Sequence, residues 1–324
     1  MTSLNDQLIS IIVDALIVGL VISVLLCLIL ARAITSPIQD LTRAAEKVAG
    51  GDFTDKVEND SKDEIGVLTR TFNDMAGQLE DTLDDLTKSE QMRREFVANV
   101  SHELRTPITS VRSYAETLED EPDMPEDTRQ RFLEVILNES DRMTKIVQDL
   151  LTLSRFDAGS IEFSFAEFSF EKSVRDVYNA MAMEAQAHGH HFVLELEPDI
   201  PKIRGDRQRV EQVLINMVSN AVKYTKDGGR ISVSAGTKNG EVWCSVRDNG
   251  IGIPAEDTQK VFDRFYRVDK ARSRESGGTG LGLSIAQEIV VRHGGHIELQ
   301  SRLGHGTVIT VYLPVEGPSD EKQR

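Results

Sequence analysis

The stretch from Phe96 to Arg112, FVANVSHELRTPITSVR, sets a histidine, a carboxylate and a hydroxyl inside a helical pattern. With Val97 at the first heptad position, Val97, Val100, Leu104, Pro107, Val111, Tyr114 and Leu118 make one apolar seam. His102 then faces away from the seam and is displayed to solvent, as a reacting group must be. Glu103 is adjacent, about 100° around the helix, and Thr106 lies one turn on, sharing the face of His102. Pro107 has no N–H for the carbonyl of Glu103, so the helix is weakened or bent one turn after the histidine.

Further candidates lie downstream. Asn216, Asn220 and Lys223 share one face of a predicted helix that ends at Tyr224, and asparagine oxygen is a hard ligand suited to Mg2+. Asp248-Asn249-Gly250-Ile251-Gly252 follows a predicted strand; a carboxylate there can accept from an adenine amino group, and the glycines let backbone approach a base. The run Phe262-Asp263-Arg264-Phe265-Tyr266-Arg267 is expected to pack the base of a mobile lid, Val268 to Ser276, which offers Lys270, Arg272 and Arg274 to phosphates. Gly277-Gly278-Thr279-Gly280-Leu281-Gly282 opens a helix, where backbone amides bind phosphate well. No Gly-Lys-Ser/Thr follows it, so it is not a P-loop, and no strand leads into it as a dinucleotide fingerprint requires.

The elements that must hold these residues are legible in outline. Leu8 to Ala31 is apolar with only Asp14 charged, long enough for a bilayer-crossing helix. Arg32 follows it, which places the C-terminal part in the cytoplasm by the positive-inside rule. Only about ten residues precede the span, leaving no room there for an extracellular sensor domain and suggesting a fragment or short form of a larger receptor. Two seams follow: Ile34, Ile38, Leu41, Ala45 and Val48, then Ile65, Leu68, Phe72, Met75, Leu79, Thr82 and Leu86, joined by a polar connector, Asp52 to Asp63. The seam through Val97 is out of phase with them by one residue, through the polar stretch Lys88 to Arg94. A second helix, striped by Phe132, Ile136, Met143, Ile146, Leu150 and Leu153 and interrupted by Glu139, completes a hairpin. So slender a hairpin needs a second copy, giving a dimeric four-helix bundle. Beyond Gly159 the pattern predicts an α+β domain with a largely antiparallel sheet: strands at His191–Glu197, Arg230–Thr237, Glu241–Asp248, His296–Ser301 and Thr307–Leu313, and helices at Phe170–His188, Arg207–Tyr224 and Leu281–His293. A net charge of −16 argues against nucleic acid as a partner. Cys27 and Cys244 imply neither a disulfide framework nor a metal site.

The string His102-Glu103-Leu104-Arg105-Thr106-Pro107 closely resembles the phosphoacceptor box of membrane-bound sensor histidine kinases of bacterial two-component systems, and the resemblance extends over residues 32 to 314. The paired seams, with Pro37 and a Glu64-Ile65-Gly66 turn, look like a HAMP domain, a parallel coiled coil. The resemblance implies an extracellular tail (1–9), a transmembrane helix (10–31), HAMP (32–87), a dimerisation and phosphotransfer domain (88–157), a two-layer α+β ATP-binding domain of the Bergerat type (158–315) and a disordered tail (316–324). It also implies the chemistry. His102 attacks the γ-phosphate of ATP, the position of Glu103 supplies the general base, and the phosphoryl group passes to an aspartate of a response regulator receiver domain. Thr106 positions water for dephosphorylating that regulator. Asn220 ligates Mg2+ with Asn216 in support, and ATP is held by Lys223, Tyr224, Asp248, Gly250, Gly252, Arg267, Gly278, Thr279, Gly280, Leu281, Gly282 and Thr307. The expected setting is a homodimer in the cell membrane with cytoplasmic kinase domains. Related ATPases hydrolyse ATP with a glutamate four residues before the metal-binding asparagine; Asn216 stands there and cannot act as a base, so transfer is favoured over hydrolysis. A nucleotide-binding relay scaffold, or an enzyme working mainly as a phosphatase, are the other readings.

Overall fold

The computed structural model describes residues 2–58, 62–268 and 278–318. The chain divides into two units, residues 1–95 and 96–324.

The first unit opens with helix α1, Thr2–Leu30. Its apolar side chains from Ile9 onward are exposed, as a lipid-facing surface would be; length and composition suit a membrane span. A π-helical turn at Ala31–Thr35 joins it to α2, Ser36–Ala49, so there is no break between span and seam. Pro37 sits in the first turn of α2, where a missing N–H costs nothing, and Gly50 ends the helix. Helix α3, Glu64–Asp120, begins where a turn was expected at Glu64-Ile65-Gly66. The reason is a cap: the Asp63 carboxylate accepts from Gly66 N at 3.0 Å, which starts the helix at Glu64. Asn73 pins the connector by a pair of bonds to Val57, from its N–H at 3.2 Å and to its carbonyl at 3.0 Å. Leu41 and Ala44 are buried, so Ala44 and not Ala45 continues the packed face, while Ile34, Ile38, Leu68, Met75, Leu79 and Leu86 stay exposed. The polar stretch Lys88–Arg94 is helical throughout, braced by Arg93 on Glu90 at 3.0 Å.

In the second unit, α3 runs unbroken past Pro107, whose ring is buried. Glu121–Pro125 turns the chain into α4, Glu126–Asp157, and the hairpin closes on Ile146, fully buried, and on Tyr114 edge-on to Phe132 at 4.9 Å. The α/β part follows: β1 Ala166–Ser169, α5 Phe170–Ala187, β2 His191–Leu196, β3 Lys202–Gly205, α6 Arg207–Tyr224, β4 Arg230–Lys238, β5 Glu241–Asp248, α7 Gly282–Arg292, β6 His296–Arg302 and β7 Gly306–Pro314. The main sheet has the order β2-β4-β5-β7-β6, antiparallel except for the parallel β2–β4 pair. Alternate residues of its inner face, Ile231, Val233, Ala235, Val242, Cys244, Val246, Ile309, Val311 and Leu313, are buried in one core with residues of α5, α6 and α7. Strands β1 and β3 form a separate antiparallel pair. Neither was foreseen, since four residues are too few to show an alternation. Gly317 and Pro318 lie against Arg204 and Gly294.

Two N-caps anchor the helices that matter. Ser169 accepts from Lys172 N at 3.2 Å and Asp206 from Arg209 N at 3.1 Å, each worth about 1 kcal/mol. Asp206 also accepts from Ser164 N at 3.1 Å and donates its own N–H to His293 Nε2 at 2.9 Å. His293 Nδ1 lies 2.8 Å from Ile289 O and takes the proton, because Nε2 is an acceptor. Phe163 and Phe165 meet the same ring at 5.4 and 5.2 Å, which ties the interdomain linker to α7.

Candidate active site

His102 is exposed on α3, on the side away from the buried seam residue Pro107. Thr106 Oγ1 points back to the His102 carbonyl at 3.4 Å, a long contact. Glu103 is turned into a buried charge cluster. Both its oxygens lie 3.3 Å from Arg267 Nη1, and Oε2 lies 3.3 Å from Arg142 Nη2. Arg142 in turn faces Glu139, one turn earlier on α4, at 3.6 Å. These side chains are only 6–25% exposed, so their charges interact more strongly than surface pairs do.

The nucleotide candidates converge around α6. Asn216 Nδ2 donates to Gly282 O at 3.0 Å, which fixes the start of α7 against α6. Asn220 is half-buried one turn on. Lys223 lies 5.1 Å from the Tyr224 ring centre and against Gly278, where an added Cβ would sit 2.1 Å from Nζ. Burial, then the positive charges of Arg267, Lys145 and Arg142, bring the Lys223 ammonium down to about 8. Burial likewise raises the Tyr224 phenol.

Asp248 ends β5 with Oδ1 accepting from Gly250 N at 2.8 Å and from Thr307 N at 3.2 Å. Burial raises its carboxyl above the ordinary value, and those two N–H bonds oppose the rise. Gly250 could not be another residue, because a Cβ would fall 2.3 Å from Tyr224 O. Gly252 has φ of 67° and packs on Arg302 O. Thr307 shares a hydrogen bond of 2.9 Å with Ser301 Oγ.

Phe265 packs on Phe96 of the hairpin at 5.7 Å and adopts φ of 63°, while the expected lid beyond Val268 lies outside the described residues. Its N–H bonds Gly280 O at 2.9 Å, which holds this strained residue in place. Tyr266 bonds Asp257 at 2.5 Å. Arg264 grips Asp157, the last residue of α4, through two bonds of 2.7 and 2.5 Å. Thr279 Oγ1 donates to Asp149 of α4 at 3.2 Å and accepts from Leu281 N at 3.2 Å. Leu281 is fully buried. Lys270, Arg272, Arg274 and Gly277 lie outside the described residues.

Among the candidates, Glu103 meets Arg267 directly, and Lys223 meets Gly278. Arg142, Lys145 and Asp149 on α4 were not foreseen. The one signal was Glu139, a charge interrupting an apolar stripe, with Arg142 one turn on.

Residues 205–317 match the family described as histidine kinase-, DNA gyrase B-, and HSP90-like ATPase, residues 92–159 the His Kinase A (phospho-acceptor) domain, and residues 29–81 the HAMP domain. The sensor histidine kinase WalK of Bacillus subtilis is 33% identical over 94% of this chain and 68% of its own length. Histidine kinase ThkA, solved in complex with the response regulator protein TrrA, matches 74% of this chain and 67% of its own at a TM-score of 0.58 and 28% identity. Full-length ShkA in complex with AMPPNP matches 69% of this chain and 46% of its own at 0.52 and 28%. This chain spans between 39% and 68% of the length of the curated relatives it matches. A membrane-suited helix, a HAMP domain, a phosphoacceptor hairpin and an ATPase-type α/β domain thus succeed one another, and the chain belongs to the sensor histidine kinases.

Proposed function

We propose that this chain is a membrane-anchored protein-histidine kinase that autophosphorylates His102 from ATP and hands the phosphoryl group to a response regulator. The observation that carries this reading is the contact between the two halves of the chemistry. Arg267 and Thr279, from the ATPase-type domain, touch Glu103 and Asp149 of the hairpin. Arg267 thus lies against the helix that bears His102, and Thr279 against the other helix of the hairpin.

The site fits a triphosphate. Burial, and then the crowding of Arg267, Lys145 and Arg142, weakens the hold of Lys223 on a proton, and phosphate charge relieves the repulsion. Gly278, Gly280 and Gly282 supply close backbone, and Asp248 supplies the acceptor for an adenine amino group. Asn220 would hold Mg2+, with Asn216 beside it; the ion neutralises phosphate charge. One ring nitrogen of His102 forms a bond to the γ-phosphorus as its bond to the bridging oxygen breaks and ADP leaves. The proton on the other ring nitrogen passes to Glu103. The phosphoryl group then moves to an aspartate of a receiver domain, in keeping with the ThkA–TrrA complex. Thr106 serves the reverse task, orienting water on the phosphorylated regulator.

The working form is a homodimer. Ile108, Leu133, Leu137, Val147 and Leu151 are exposed on the hairpin, and a second hairpin would cover them. The boundaries 10–31, 32–87, 88–157 and 158–315 are the proposed divisions, with α1 in the cell membrane and the kinase domains in the cytoplasm. The test is incubation of the full chain, in phospholipid nanodiscs, with γ-labelled ATP and Mg2+. Acid-labile, alkali-stable label should appear, vanish in His102→Gln with ATP binding intact, and vanish in Asn220→Ala with Mg2+-dependent binding lost. Label persisting in His102→Gln would place the acceptor elsewhere. ATP binding without label would favour the relay scaffold.

A further inference from the structure

We propose that Arg142 is a positioning residue for phosphorylation of His102, holding Glu103 in place to take the histidine proton. This rests on the reading of His102 as acceptor and Glu103 as base. Glu103 sits on a helix flank, and a glutamate there has three rotatable bonds with which to swing into solvent. Arg142 crosses from α4 to prevent this: Nη2 is 3.3 Å from Glu103 Oε2 while Nη1 is 3.6 Å from Glu139 Oε2. The guanidinium is therefore braced from behind by a second carboxylate on its own helix, and its side chain is only 10% exposed.

Arg267 also touches Glu103, but it belongs to the ATPase-type domain and is claimed by nucleotide phosphate in the same reading. Arg142 belongs to the hairpin, as Glu103 does, so its grip does not depend on where the other domain stands. Arg142 engages Oε2 alone, whereas Arg267 lies 3.3 Å from both oxygens. When phosphate draws Arg267 away, Oε1 is the oxygen left to accept the ring proton of His102, with Oε2 still held.

A buried ion pair of this kind could also be structural, and losing one partner can unfold a protein. The test therefore uses Arg142→Gln and Arg142→Lys in the full chain in nanodiscs, checked by thermal melting and by binding of a fluorescent ATP analogue. Initial rates of His102 labelling are followed against ATP concentration, alone and in a Glu103→Gln background. Glu103→Gln should slow labelling about 100-fold, the usual scale for a general base. Arg142→Gln should lower kcat about 10-fold with KM for ATP changed less than about 2-fold, and Arg142→Lys should recover most of it. In the Glu103→Gln background, Arg142→Gln should cost less than about 2-fold more, because its route is already cut. Three results would overturn the proposal: unchanged kcat in Arg142→Gln, an equal loss in both backgrounds, or a raised KM with kcat intact, which would make Arg142 a phosphate ligand. Normal labelling by Glu103→Gln would remove Glu103 as base and the proposal with it, while His102→Gln still reports separately on the acceptor.

Discussion

Lys223 carries the clearest electrostatic consequence at the scale of one residue. Its ammonium is brought down to about 8 by burial and by neighbouring cations, so near that pH Lys223 is partly neutral. A lowered folded value means that the unfolded chain binds more protons between about 8 and 10.5, so this group adds stability as pH rises through that window. A bound triphosphate reverses the balance by favouring the charged form. ATP binding at pH 8.5 should then take up a proton, seen as a dependence of the calorimetric heat on buffer ionisation enthalpy; Lys223→Met should abolish the uptake, and buffer-independent heats in the parent would refute the assignment. Asp248 leans the other way. Its raised carboxyl binds a proton earlier on acidification than an unfolded aspartate, so its contribution to stability is present at low pH and lost as pH rises through the raised value. His102, Asn216, Asn220, Lys223 and Asp248 stand out in the sequence by type, spacing and resemblance. Arg142 and Asp149 were not, because their roles depend on the register between two helices of the hairpin, which a single seam does not reveal.

The elements show where local signals ended. Helix α3 was expected to shift seam phase through Lys88–Arg94 and to weaken or bend at Pro107; it is helical through both, and Pro107 removes a single bond from a 57-residue helix. Because the helix is continuous, one residue inserted between Lys88 and Arg94 shifts everything after it by about 100° relative to the seam before it. Autophosphorylation of that variant in nanodiscs should be locked high or abolished, whereas a parent-like rate would show that seam phase is not transmitted. The Asp206–His293 clamp is a second element-level device. It was invisible in the sequence because its partners are 87 residues apart. Burial lowers the His293 imidazole below its ordinary 6.5, so the stability it provides is present above pH 6.5 and lost on acidification. His293→Phe keeps the ring but leaves Asp206 N–H buried without an acceptor. It should cost about 1–3 kcal/mol and flatten the acid limb of the stability profile, measured by urea unfolding between pH 5 and 8.

For the molecule as a whole, the succession of apolar span, seamed helices, hairpin and α+β domain followed from periodicity, since each part repeats at its own spacing. The strands β1 and β3 and the parallel placement of β2 did not, because short and edge strands are chosen by their neighbours. One dimension of the fold has a kinetic meaning. Helix α4 ends at Asp157, and Phe163 is already packed on His293, so the connection between hairpin and ATPase-type domain is residues 158–162. Five residues reach at most roughly 17 Å. On so short a leash the donor domain, once its grip on the hairpin loosens, searches a volume only tens of ångströms across, where an acceptor histidine stands at an effective concentration on the order of millimolar. Labelling should therefore be first order in protein and indifferent to dilution until the dimer itself comes apart.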